Sequence, residues 1–183
     1  MEFGYVKKMY FERIYDVSLL EENLQTVLLA ALCFFIPFAL SHPQLLVGSI
    51  VNASLILGAT YLKGHKLLPV ILLPSIGVLT AGVIFGSFTV FLIYMIPFIW
   101  IANAIYAYGY KFLALKRQKI FGIAAASIIK SAFLFGIAFL LVKLTTLPAI
   151  FLTTMGILQL TTALIGGFAA LVIIKGRETL VKK

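Results

Sequence analysis

Lys130 is the only charged residue inside the long apolar stretches of this 183-residue chain, so it is the first place to look for chemistry. It lies ten residues into the fifth stretch, about 15 Å from its start at ~1.5 Å per helical residue. A lysine side chain cannot reach the interface from that depth. Insertion scales put the cost of such a charge at roughly 2.5–3.5 kcal/mol, normally offset by a water-filled cavity or by polar partners. Two roles follow: donating to backbone carbonyls that lock two helices together, or facing a ligand in a cavity.

Asn52, Asn103, Gln159 and Thr162 are the residues best suited to share that cavity. Depth counted along the stretches puts Asn52 and Gln159 in the outer half, Lys130 near the middle and Asn103 nearer the cytoplasm. The first three are expected to share an outward-facing pocket, whereas Asn103 reads equally well as a hydrogen-bonding clamp between helices. All six acidic residues lie outside the stretches, so no carboxylate is expected to neutralise Lys130. A ligand meeting it is therefore expected to bring a negative or electron-rich group. A bare cation would be repelled.

The same inventory excludes several function classes. A buried Asp or Glu for ion-coupled transport is missing. Gly58 and Gly64 have five residues between them, and His65 stands where a phosphate-binding loop needs lysine, so ATP hydrolysis by this chain is not expected. His42 and His65 fall on opposite faces and lack cysteine or carboxylate neighbours at ligand spacing. No serine has a recognisable base. The chain reads as a non-enzyme that calls for neither metal nor cofactor.

The elements that position these residues are membrane spans. Hydrophobic residues make up 62% of the chain and charged residues 11%, with a mean hydropathy of +1.11, too little polar surface to cover a soluble globule. Six apolar stretches, 24–40, 45–62, 67–85, 88–108, 120–142 and 157–174, are mostly long enough to cross a core of about 30 Å. The expected fold is an all-α integral membrane protein, a six-transmembrane-helix bundle. Lys7, Lys8 and Arg13, then Lys63 and Lys66, then Lys111, Lys116, Arg117 and Lys119, then Lys175, Arg177, Lys182 and Lys183 all fall on one side of such a bundle. Lys143 stands alone on the other, so both termini are expected in the cytoplasm of a multi-pass cell-membrane protein. The formal net charge of +9 is spread between apolar stretches, which points to anionic lipid and not to nucleic acid.

Residues 1–23 mix five acids with Phe3, Val6, Tyr10, Ile14 and Val17 at helical spacing. They read as an amphipathic interfacial helix, or as a docking helix for a cytoplasmic partner, and those acids argue against a cleaved signal peptide. Residues 24–174 form the membrane domain and 175–183 a basic cytoplasmic tail. The segment 144–156 is expected to fold back over the outer mouth, as a lid or a plain interfacial piece. Small residues at three- and four-residue spacing predict close helix contacts: Gly48 with Asn52, Gly77 with Ala81, Ser127 with Lys130 and Ser131, and Gly166 with Ala170. Cys33 reads as a packing residue.

The run from His42 through Pro43, Gln44, Gly48 and Asn52 to Ala53 resembles a pattern in the substrate-binding S components of energy-coupling factor transporters. Met95, Ile96, Pro97 and Phe98 with Asn103, and Gln159 and Leu160 with Ala163 to Gly167, are similar to that family in the same order. The resemblance implies a six-helix subunit that binds a small vitamin-like micronutrient from outside. Its implied partners are a transmembrane coupling protein and ATPase subunits. Two features depart from the family: the alanine-spaced docking signature of the first helix is replaced by Val27 and Ala31, and the acidic N-terminal extension is atypical. A different class, a membrane anchor subunit of a redox or energy-converting complex, remains open. A self-sufficient facilitator would need a polar path through the cytoplasmic halves of the spans, which look too apolar for it.

Overall fold

The computed structural model describes residues 10–40, 43–82, 89–144 and 147–181. Seven α-helices run through them: α1 (Leu19–Ala39), α2 (Gln44–Tyr61), α3 (Leu68–Ala81), α4 (Thr89–Leu115), α5 (Lys119–Leu144), the short α6 (Ile150–Met155) and α7 (Ile157–Val181). They make six spans long and apolar enough to cross a membrane, the last of which, Ile150–Leu180, takes in both α6 and α7. The described residues contain no strand.

Local chemistry explains most of the boundaries. Ser18 and Glu21 form a reciprocal capping box, with Glu21 N–H donating to Ser18 Oγ at 3.2 Å and Ser18 N–H to Glu21 Oε2 at 3.0 Å. Helix α1 therefore starts at Leu19, five residues before the apolar stretch begins, and takes Glu21 and Glu22 into its first turn. Gly82 ends α3 in the left-handed conformation, φ 64°, which glycine adopts without a Cβ clash. Helix α4 continues to Leu115 instead of stopping near residue 108, because no proline lies between Tyr108 and Leu115 and a single glycine, Gly109, weakens a helix without ending it. Helix α7 likewise carries the first residues of the expected tail as continuous helix to Val181.

Helix α2 is the centre of the bundle: 61% of its span is buried, against no more than 39% for any other. It packs against α7, α1, α4 and α3. The contact with α7 is close because Gly166 has no side chain; a Cβ there would overlap the Ser49 carbonyl and lie 2.8 Å from the Ala53 nitrogen. Gly77 lets α3 meet the Phe34 backbone of α1 in the same way. Small residues marked both faces in the sequence, and close packing is their structural role.

The N-terminal segment differs from the amphipathic helix expected over 1–23. Tyr10 and Phe11 are helical, residues 12–17 are not, and residues 1–9 lie outside the described ones. Ile14 donates its N–H to the Thr60 carbonyl at 3.0 Å, and Ile14, Tyr15 and Val17 pack on the core at the lysine-rich end of the bundle. Glu22 is completely buried there. It accepts from Lys66 Nζ at 2.8 Å and from the Lys63 N–H at 3.2 Å, with Arg13 Nε at 3.5 Å. One carboxylate thus ties the N-terminal segment, α1 and the turn between α2 and α3. Lys111, expected in a loop, is buried on α4 and donates to the Leu62 carbonyl at 2.9 Å. Tyr15 donates to Glu178 and accepts from Lys119. Burial, reinforced by the bond to Glu178, raises the Tyr15 hydroxyl above its ordinary pKa.

Candidate functional site

Asn52, Asn103 and Lys130 each stand at the middle of their helices, α2, α4 and α5, and each is only 2% exposed. Lys130 Nζ donates to Asn52 Oδ1 at 2.6 Å and to Asn103 Oδ1 at 3.0 Å. The Tyr106 ring lies beside the ammonium, its centroid 5.1 Å away. Neither amide oxygen carries a full charge, and no ion pair among the described residues includes Lys130.

The amides are themselves held. Asn52 Nδ2 donates to the Gly48 carbonyl at 2.9 Å and to Thr162 Oγ1 at 3.2 Å, while Thr162 donates to the Leu158 carbonyl at 2.8 Å. Asn103 Nδ2 donates to the Ile71 carbonyl of α3 at 3.1 Å. Five helices therefore meet in one network, and the lysine is fixed by side chains, not by the backbone carbonyls considered from sequence. Two apolar clusters flank it along α5, with Ala126 one turn away in the first and Leu134 one turn away in the second.

Beside Lys130 lies a cavity of about 120 Å³. Asn52, Asn103, Lys130, Gln159 and Thr162, the five residues expected from sequence, all line it. Its wall runs from the network to Gln44 and Gln159, at the end of the bundle opposite the lysine-rich one. Thr154 and Met155 of α6 also line it, which places the segment expected to fold back against the cavity. Most of the remaining wall is apolar. The lysine has a third N–H and the amide of Asn103 a second, and Gln159 adds its half-buried amide. The polar wall is thus rich in donors and suits a ligand group that accepts hydrogen bonds.

Asn103 is not deeper than Lys130. Helix α4 runs past residue 108 to Leu115, which puts its midpoint next to Asn103. Asn52 is the ninth of the 18 residues of α2, close to its midpoint on the Gln44 side. Ser75, Trp100 and Tyr106 are missing from the sequence reading. Ser75 lines the cavity beside Pro74 and accepts from Trp100 Nε1 at 2.7 Å, and Tyr106 faces the lysine. Tyr106 lies three residues after Asn103, on the same helix face, and that spacing is a usable signal.

Cys33 is buried in the core, as a packing residue would be. No three His, Cys, Asp or Glu side chains among the described residues are grouped to hold a metal ion. His42 lies outside the described residues. No family model, no curated protein and no solved structure matches this chain.

Proposed function

We propose that this chain is the substrate-binding membrane subunit of an energy-coupling factor type transporter, taking up a small vitamin-like micronutrient. The observation that carries the reading is the cavity beside Lys130, lined by all five polar residues singled out in the sequence. A ligand with a carboxylate or carbonyl would take up the remaining donors in a low-dielectric site. Partner ATPases and a coupling protein would supply the energy, since the chain has no phosphate-binding loop.

The test is reconstitution. Liposomes containing this chain alone bind the small molecule that co-purifies with it, identified by mass spectrometry, and do not concentrate it. Lys130→Met lowers that affinity at least tenfold, which is ~1.4 kcal/mol. That variant also leaves two amide oxygens unpaired, so Gln159→Leu is measured beside it and should weaken binding without changing thermal stability. Uphill uptake by the chain alone, or unchanged affinity in both variants, sinks the assignment.

The orientation follows from charge. With the lysine-rich end in the cytoplasm, the cavity opens toward the outside. Lys116→Cys in a Cys33→Ala background resists an impermeant maleimide in whole cells and reacts after lysis. Ready labelling in intact cells reverses the topology.

A second reading, an anchor subunit of a redox or energy-converting complex, has one observation in its favour. Lys130 already holds two internal acceptors, as a structural lysine does. Purified protein that carries no small molecule but retains redox subunits favours it.

A further inference from the structure

A second cavity, a groove of about 1570 Å³, opens at the lysine-rich end between the N-terminal segment, the α4–α5 turn and the end of α7. Its charged residues are Arg117, Lys119, Lys175 and Arg177 against Asp16, Glu21 and Glu178. Two of the cations are engaged: Lys119 pairs with Glu178 at 3.2 Å and Arg177 with Glu21 at 3.2 Å. Arg117 and Lys175 are exposed and take part in none of the ion pairs among the described residues. The groove therefore keeps an excess of positive charge.

Two further features decide what fits there. The first intrahelical bond of α5 runs from the Gly122 N–H to the Gln118 carbonyl, which leaves the preceding amides of Lys119, Ile120 and Phe121 without intrahelical acceptors. Anions are stabilised at such a terminus. Apolar surface begins immediately on the membrane side of the cations. Ile120 is 67% exposed and Phe121 63% on α5, and both line the groove together with the half-buried Leu171 of α7. A soluble anion would use only the charges. The groove also exceeds the roughly 300–1,000 Å³ of ordinary small-molecule pockets.

We propose that this groove holds an anionic phospholipid. Its phosphate lies against Arg117, Lys175 and the first-turn amides of α5, and its acyl chains run along Ile120 and Phe121 of α5 and Leu171 of α7. Such a lipid bridges the α4–α5 turn to the end of α7, and the site is independent of what fills the central cavity. Cytoplasmic leaflets offer this chemistry at the depth where the spans end.

The test uses the full chain in mild detergent with equal amounts of phosphatidylglycerol and phosphatidylcholine, the lipid retained after gel filtration being quantified by mass spectrometry. Phosphatidylglycerol should be retained at least fivefold over phosphatidylcholine. The preference should fall to near parity in Arg117→Gln/Lys175→Gln and persist in Lys143→Gln, at the other end of the bundle. Glycerophosphate at millimolar concentration should not displace the lipid. Equal retention of the two lipids, or a preference that survives the double variant, overturns the proposal. Displacement by glycerophosphate overturns it in favour of a soluble anion, and an acidic protein retained in place of lipid overturns it in favour of a protein partner. If the double variant does not elute as the wild type, wild-type protein in 0.5 M salt decides: the preference must collapse there, and its survival is an overturning result.

Discussion

Gly166→Leu should yield no monodisperse protein in mild detergent. The three atoms nearest an added Cβ are the Ser49 carbonyl oxygen, the Ala53 nitrogen and the Asn52 Cβ, so no flexible side chain is available to move aside. Overpacking commonly costs about 1–3 kcal/mol, and more when main chain must shift. Helix α7 would have to leave α2, taking Thr162 and Gln159 from the cavity. Gly136 on α5 is the matched control, because a Cβ there meets nothing within 4 Å. Gly136→Ala should be neutral or raise the Tm, alanine being about 1 kcal/mol better than glycine inside a helix. Size-exclusion profiles and thermal melts of the two variants check both expectations. A wild-type profile for Gly166→Leu would show that α2 and α7 do not meet this closely.

Glu22→Ala should be the most destabilising of the charge deletions. It leaves Lys66, 19% exposed, and Arg13, 13% exposed, around an empty space, along with the Lys63 N–H. Removing one partner of a buried pair costs about 3–5 kcal/mol. Partial exposure of the two cations puts this case toward the lower end. Glu21→Ala, next to it, removes an ion pair whose partners are 49% and 33% exposed and one bond of the capping box, both at the surface, so its effect should be clearly smaller. Melting curves of the two single variants separate the cases. Equal shifts would remove Glu22 from its place as the tie of this end.

Much of this was legible in the sequence, and the exceptions have physical causes. Span number and most span positions follow from hydropathy, because a bilayer demands long unbroken apolar helices. Lys130 and its neutral partners stand out for the same reason: polar residues are costly there and hence few. Glu22 and Lys111 depart from expectation because a charge does not always mark the end of a span. A charge paired with a backbone carbonyl or an opposite charge can sit inside the helix instead, as both do. Residues 12–17 show helical spacing, yet the Ser18 capping box starts the helix after them, and packing against the core holds them in another shape. Asn103 differs because its helix ends seven residues beyond the apolar stretch, which moves the midpoint by about one turn.

The tie at Glu22 has a further meaning for the order in which the protein is made. Arg13 leaves the ribosome before Glu22, but Lys66 follows it by 44 residues. At about 5–20 residues per second the carboxylate waits roughly 2–9 s for its ammonium partner. Until the turn after α2 emerges, α1 has only Arg13 to meet that acid, so α1 and α2 should reach their final depth together, as a hairpin inserted as one unit.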